Sequence, residues 1–220
     1  MKILVSWSSG KDSAWMLHIL QQTHPGQVQG LLTTVNGAFD RVAMHGVRRE
    51  VLEAQARAAR LPLQQVPLPW PCSNAEYERL MAEAVRGFVT DGFTHVAFGD
   101  LFLEDVRRYR EDRLAGTGLE PLFPLWKRGS TTDLAEAMIA GGLRATLSTV
   151  DPHKLPASFA GRSFDRTLLA ELPEGVDPCG ENGEFHSCVW DGPMFHEPVR
   201  VATGDVVQRD GFVFADIMLR

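Results

Sequence analysis

The order of strand-like and helix-like segments predicts an α/β protein: a parallel sheet with helices on both faces, followed by a smaller C-terminal α+β domain. Three observations carry the prediction. Short apolar runs alternate with helix-patterned segments through the first two-thirds of the chain. The character changes near Asp151, where Pro152, Pro156, Gly161, Pro173, Gly175, Pro178, Gly180 and Gly183 crowd the next stretch. A hydrophobic content of 44% over 220 residues is enough for a proper core. The expected division is residues 1–150 and 151–220.

Each element has its own local reason. Met1 to Trp7 reads as a buried first strand, and Ala14 to Leu20 as a helix. Val28 to Val35 is a second strand. Val47 to Ala59 has the Ala, Leu, Arg and Glu content of a helix. Leu63 to Leu68 is a short strand closed by Pro67, Pro69 and Pro71. Asn74 can cap a helix to about Phe88, with Tyr77, Met81 and Val85 at helical spacing. Thr94 to Phe98 is a strand, Leu103 to Ala115 a charged helix, and Thr132 to Ile139 a helix stopped by Gly141-Gly142. Leu143 to Val150 is expected to add a further strand to the parallel sheet. A short helix is expected around Asp165 to Leu172. Val189 to Met218, with turn signals at Asp191-Gly192 and Asp210-Gly211, reads as antiparallel hairpins.

Composition narrows the function classes. A net charge of −6 disfavours a broad nucleic-acid surface. No apolar run reaches the ~20 residues of a membrane span. The first residues lack the basic and cleavage regions of a signal peptide. Cys72, Cys179 and Cys188 show no paired spacing, which argues against a disulfide scaffold and fits a reducing cytoplasm. A homo-oligomer is left open.

The most informative stretch is Ser8-Ser9-Gly10-Lys11-Asp12-Ser13, between the first strand and the first helix. Gly10 lets backbone approach an anion, the helix N-terminus presents N–H groups, and Ser8, Ser9, Ser13 and Lys11 add donors and positive charge. Ser6, at the strand end, joins this set. The pattern is not a Walker A loop, since Val5 stands where its first glycine would be and Asp12 follows the lysine. An N-capping serine in a plain turn is the bland alternative.

Ligands of open parallel sheets sit beyond the carboxyl ends of strands. Thr33, Thr34 and Val35 end the second strand, where backbone can read an adenine edge and hydroxyls can meet ribose. Phe98-Gly99-Asp100 ends another; Gly99 permits close approach, and Asp100 can hold Mg²⁺ or cap a helix. Asp12, beside a phosphate turn, calls for a cation or helix-terminal N–H groups. His45 can bind substrate or carry a proton, or be structural. Tyr109 and Arg113 share a helix face that can point to the cleft. In Cys179 to Ser187, Gly180 and Gly183 flank Glu181 and Asn182, with Glu184 beyond; such a loop can offer carboxylates to an amine or a metal. A tight surface turn is the alternative.

With these residues in hand, the chain resembles the diphthine–ammonia ligase family of N-type ATP pyrophosphatases. The resemblance rests on Ser8 to Ser13, Met44-His45-Gly46-Val47, Gly99-Asp100 with Tyr109-Arg110 and Arg113, Gly118 to Trp126, and Gly180 to Phe185. Ser9 stands where the family's loop has a glycine, and Asn182 and Phe185 depart from G-E-G-G-E-Y. The compact length and altered loop resemble a bacterial branch. The resemblance implies a Rossmann-like nucleotide domain, a smaller C-terminal domain, and a substrate cleft between them. It implies ATP and Mg²⁺, with Asp12 and Asp100 as metal ligands. Lys11, Asp12, Asp100, Glu181 and Glu184 would be catalytic, and His45, Tyr109, Arg113 and Asn182 would bind substrate. The implied reaction adenylates a carboxylate, a small molecule or a modified protein, releases pyrophosphate, and transfers ammonia to form an amide. The rivals are a thiolating enzyme of tRNA or bases on the same loop, and a non-catalytic adenine-nucleotide sensor.

Overall fold

The computed structural model describes residues 1–42 and 45–220. Met44 of the quoted histidine motif lies outside the described residues. Strands β1 (Ile3–Ser6), β2 (Val28–Asn36), β4 (Leu63–Leu68), β5 (His95–Ala97) and β6 (Glu120–Leu122) form a parallel sheet in the order β4-β2-β1-β5-β6. A two-residue strand, β3 (Arg41–Val42), adds antiparallel pairing to the end of β2. The middle of the sheet is apolar, with Ile3-Leu4-Val5 of β1 beside Leu31-Leu32 of β2, because both faces are covered there. Ile3 and Val5 of β1 enter the core on one face, and Leu4 enters the core on the other; Leu31 and Leu32 of β2 divide the same way. Helix α1 (Lys11–Thr23) packs on the first face, while α3 (Asn74–Thr90) and α4 (Glu104–Leu114) lend Phe88 and Leu114 to the second. Helix α2 (Arg49–Ala59) joins the first core through Val51, Leu52 and Ala56.

The chain leaves β1 toward β2 and β4, then crosses back over β1 to β5 and β6. This reversal opens a crevice beyond the carboxyl ends of β1 and β5. Ser6 and Phe98-Gly99-Asp100 therefore flank the same opening, as the sequence anticipates.

The C-terminal part corrects one expectation. Strand β7 (Arg144–Val150) does not extend the parallel sheet. It pairs antiparallel with β8 (Phe185–Asp191) and β10 (Phe212–Leu219), and β9 (Val201–Arg209) completes a four-stranded sheet ordered β8-β7-β10-β9. Leu143, Ala145 and Leu147 alternate with Arg144, Thr146 and Ser148, which marks a strand and names no pairing partner. Asp210-Gly211 does turn a hairpin, both residues having positive φ (51° and 84°), as two-residue turns require. Asp191-Gly192 does not; β8 and β9 lie on opposite edges of the sheet. Helix α5 (Thr131–Ala140), with a capping box of Ser130 and Asp133, precedes β7, and α6 (Arg166–Glu171) lies within the Pro- and Gly-rich stretch. One continuous core runs from Ile3 to Ile217 across both sheets. Among the described residues, no helix is long and apolar enough to cross a membrane.

Candidate functional site

The turn from β1 to α1 is knit by its serines. Gly10 N donates to Ser8 Oγ (3.3 Å), Ser8 N donates to Ser13 Oγ (3.3 Å), and Ser13 Oγ donates to Gly10 O (2.9 Å). Gly10 is the N-cap of α1 and receives no side-chain cap bond. Its backbone is crowded: a Cβ there would stand 2.8 Å from His45 Cε1 and 3.3 Å from Ser187 O. Ser9 has φ 70°, the left-handed region where glycine is at ease. A glycine would hold this conformation without strain. Ser9 is fully buried and its hydroxyl has no partner among the described residues, so it faces neither solvent nor the cavity.

Lys11 is the centre of the site. Its Nζ donates to both Asp12 carboxylate oxygens (3.1 and 2.9 Å) and to the Cys179 carbonyl. Phe185 and Phe164 lie beneath it, with centroids at 5.4 and 5.8 Å. Only 3% of Lys11 is exposed. Burial pulls its ammonium down, but Asp12, Cys179 and Glu181 outweigh that and leave it above its ordinary value. The C-terminal segment thus closes over α1. Lys11 N donates to Ser187 Oγ (3.1 Å), and Val189 N donates to Ser9 O (2.9 Å).

A cavity of about 260 Å³ opens here. Ser6, Ser8, Lys11, Asp12 and Ser13 line one side, Gly99 and Asp100 another, and Gly180, Glu181 and Ser187 the C-terminal side. Gly99 is packed onto α1, since a Cβ there would meet Asp12 C and Ser13 N at 3.2 Å. Burial lifts the Asp100 carboxyl above its usual range, Arg110 opposes this, and Asp12 adds to it. Burial also raises Glu181, which accepts from Phe102 N (3.2 Å) and so joins the C-terminal loop to the turn after β5.

A second cavity, about 520 Å³, adjoins the first and shares Ser6, Ser8, His45, Phe98 and Arg110 with it. Thr33 and Thr34 line it. The Thr33 hydroxyl is already spent on Trp7 O (2.7 Å), and Val35 is a core residue that lines neither cavity. His45 stacks near His186, with centroids 4.5 Å apart. Burial, helped by Lys11, depresses His186 to about 4; burial, His186 and Lys11 hold His45 well below the usual imidazole value. Both imidazoles are neutral at pH 7.

Several expected residues stand elsewhere. Glu184 is 3% exposed and accepts from Asp177 N, Asn182 N and Asn182 Nδ2 (3.1, 2.9 and 3.1 Å). Its carboxylate holds the Gly180–Gly183 loop in shape and does not line the cavity. Asn182 is exposed, bonded to Glu184, and accepts from Lys154 Nζ (2.7 Å). Tyr109 and Arg113 line a third space between α3 and α4, and Arg113 pairs with Glu78. Arg110, His186, Ser187 and the Cys179 carbonyl line or meet the site although their motifs gave them no role of their own. Arg110 lies in a charged run most of which reads as a solvated face, with Tyr109 and Arg113 as its cleft candidates, and a carbonyl has no side-chain signature.

Among the described residues, no three or more His, Cys, Asp or Glu side chains gather to hold a metal ion. Mg²⁺ bound with phosphate needs only one or two carboxylates, and Asp12 and Asp100 supply that number at the cavity. Burial pushes the Cys179 and Cys188 thiols up to about 12 each, with Lys11 opposing at Cys179, so neither is a ready nucleophile.

Fold and site together define an α/β protein with a serine- and lysine-bearing turn at the sheet's switch point, capped by a second sheet. The family model described as the diphthamide synthase C-terminal domain matches residues 130–217, the part that contains β7, β8, β9 and all but the last two residues of β10. The chain is 35% identical over 241 aligned positions to the diphthine–ammonia ligase of Danio rerio, spanning 99% of this chain and 92% of the relative. It is 31% identical to that of Rattus norvegicus, over 99% and 89%. A relative of the same name from Schizosaccharomyces pombe is 24% identical over 94% of this chain but 37% of its own length. The chain belongs to the diphthine–ammonia ligase family.

Proposed function

We propose that this protein is an ATP-dependent ligase that joins ammonia to a carboxylate, with AMP and pyrophosphate as the nucleotide products. The observation that carries the reading is Lys11, buried beside the serine-knit turn and tied at once to Asp12 and to Cys179 of the C-terminal segment. A lysine ammonium and a helix N-terminus at one cavity suit a polyphosphate. In this reading the phosphates lie along Ser8, Gly10, Lys11 and Ser13, and the base points toward Thr33 and Thr34. Mg²⁺, held by Asp12 and Asp100, would neutralise phosphate charge. Glu181, from the opposite wall, would hold ammonium and take its proton, because a carboxylate repels phosphate and attracts ammonium. Glu184 serves this loop as its internal brace. The acceptor is a carboxylate, as diphthine is for the named relatives. The two buried thiols, held protonated, weigh against the sulfur-transfer alternative.

The test pairs two variants. Lys11→Ala is expected to lower ATP affinity at least about tenfold, charge-assisted bonds being worth ~1.5–3 kcal/mol each. Glu181→Gln is expected to spare ATP affinity and depress amide formation from ammonium and a carboxylate acceptor. Calorimetry reads the first and product analysis the second. ADP and orthophosphate as sole products would reject the reading. So would normal ATP binding in folded Lys11→Ala.

A further inference from the structure

Helix α3 presents an apolar face that the fold does not finish covering. Tyr77, Met81, Val85 and Phe88 lie along it, yet only Phe88 is buried. Between this helix and α4 lies a slot of about 400 Å³, within the range of ligand-binding cavities. Met81, Val85, Phe98 and Leu114 form its apolar walls, with the Tyr77 and Tyr109 rings beside them.

Arg110 connects the slot to the rest of the site. It lines this slot, the cavity at Lys11 and the cavity at Thr33 and Thr34. Its guanidinium rests over the Phe98 ring, 4.7 Å from the centroid, and its Nε stands 3.5 Å from Asp100 Oδ2. A group held at Arg110 is therefore at the junction of all three spaces. The slot's charge favours an anion. Arg86, Arg110 and Arg113 line it against Glu78, paired with Arg113, and Asp100 beyond its edge, paired with Arg110, which leaves one positive charge in excess.

We propose that the slot between α3 and α4 is the acceptor site, and that it takes a carboxylate on an apolar, aromatic-sized body anchored at Arg110. The inference rests on the ligase reading for its carboxylate and goes beyond it in naming the body and the pocket. The apolar walls gain from burying a hydrocarbon body, and a strongly polar ligand would lose its hydration there without partners. Arg110 then sets the carboxylate at the edge of the Lys11 cavity.

The test uses calorimetry of the full chain with phenylacetate, phenylpropionate and phenylbutyrate, and with the uncharged amide of whichever binds most tightly. Saturable binding of at least one acid is expected, with its amide weaker by about tenfold or more. Arg110→Met should bring the acid down to the level of the amide. Ala82, on the exposed side of α3, lines the slot and neither other cavity. Ala82→Trp should therefore weaken the acid by about tenfold and leave ATP affinity unchanged. No saturable binding by any of the three acids, equal binding of acid and amide, or an unaffected Ala82→Trp would overturn the proposal. Carboxylate binding without ATP binding would refute the ligase reading instead. ATP binding without carboxylate binding would refute only this one.

Discussion

Ser9 and His186 show what single residues contribute. Ser9 holds a left-handed φ of 70° with its hydroxyl buried and unpartnered among the described residues. Both features cost free energy, about 1 kcal/mol for the backbone alone. Ser9→Gly is expected to stabilise the fold by about 1 kcal/mol and to leave ATP affinity unchanged, because the hydroxyl does not reach the cavity. Urea unfolding beside an ATP titration checks both, and a loss of affinity would return Ser9 to the nucleotide set. His186, depressed from 6.5 to about 4 by burial and by Lys11, gives a pH signature. The fold favours its neutral form. Between those values the unfolded chain takes up a proton that the folded chain refuses, so this contribution is complete above 6.5 and is lost as pH falls. The slope is at most about 1.4 kcal/mol per pH unit for each such histidine, and His45 adds in the same direction. His186→Gln should narrow the stability difference between pH 7.5 and pH 5 by about 1–2 kcal/mol in urea melts. An unchanged difference would mean that His186 titrates normally in the fold.

At the scale of elements, the site depends on how closely β5 approaches the first turn of α1. Gly99 makes that approach, with Asp12 C and Ser13 N both 3.2 Å from where a Cβ would sit. These are backbone atoms at a helix start, and they have little room to yield. Gly99→Ala is expected to destabilise the protein by about 1–3 kcal/mol and to weaken ATP binding by shifting the Lys11 turn. Thermal melts and calorimetry on the same variant check this. A normal melt with normal affinity would show that the β5–α1 contact is slack. The same scale explains Glu184, whose carboxylate satisfies three donors of its own loop. Its spacing from Glu181 suggested a pair of reactive acids. In the fold one acid faces the cavity and the other shapes the loop that presents it.

Across the whole molecule, Gln55 joins the parts. It is fully buried on α2; its Nε2 donates to Ser9 O (3.2 Å) and Val189 O (2.6 Å), and its Oε1 accepts from Trp7 Nε1 (3.0 Å). One amide thus links α2, the β1–α1 turn and β8. Gln55→Leu leaves Trp7 Nε1 and Val189 O buried without this partner, at about 1–3 kcal/mol for each group. A total loss of about 2–4 kcal/mol is expected in urea melts, with ATP binding weakened as the turn loosens. A loss under about 0.5 kcal/mol, the usual range of a surface substitution, would show that the sheets hold together without it.

By itself the sequence determined the central parallel strands, the helices over them and the Ser8–Ser13 turn. A strand covered on both faces must be apolar along its length, and a turn that receives an anion needs small, donor-bearing residues; both requirements are written in side chains. Only the tertiary structure decided that β7 belongs with β8 and β10. Its alternating side chains mark a strand, and the partners it takes are set by where the C-terminal segment returns. The tertiary structure also decided the far wall of the site. The Cys179 carbonyl, Ser187 Oγ and His186 reach Lys11 and His45 only because β8 folds back over α1, across 168 to 176 positions of chain at Lys11. Those contacts are made by backbone and by short, common side chains. Their chemistry comes from where the fold sets them down, and no local pattern encodes that placement.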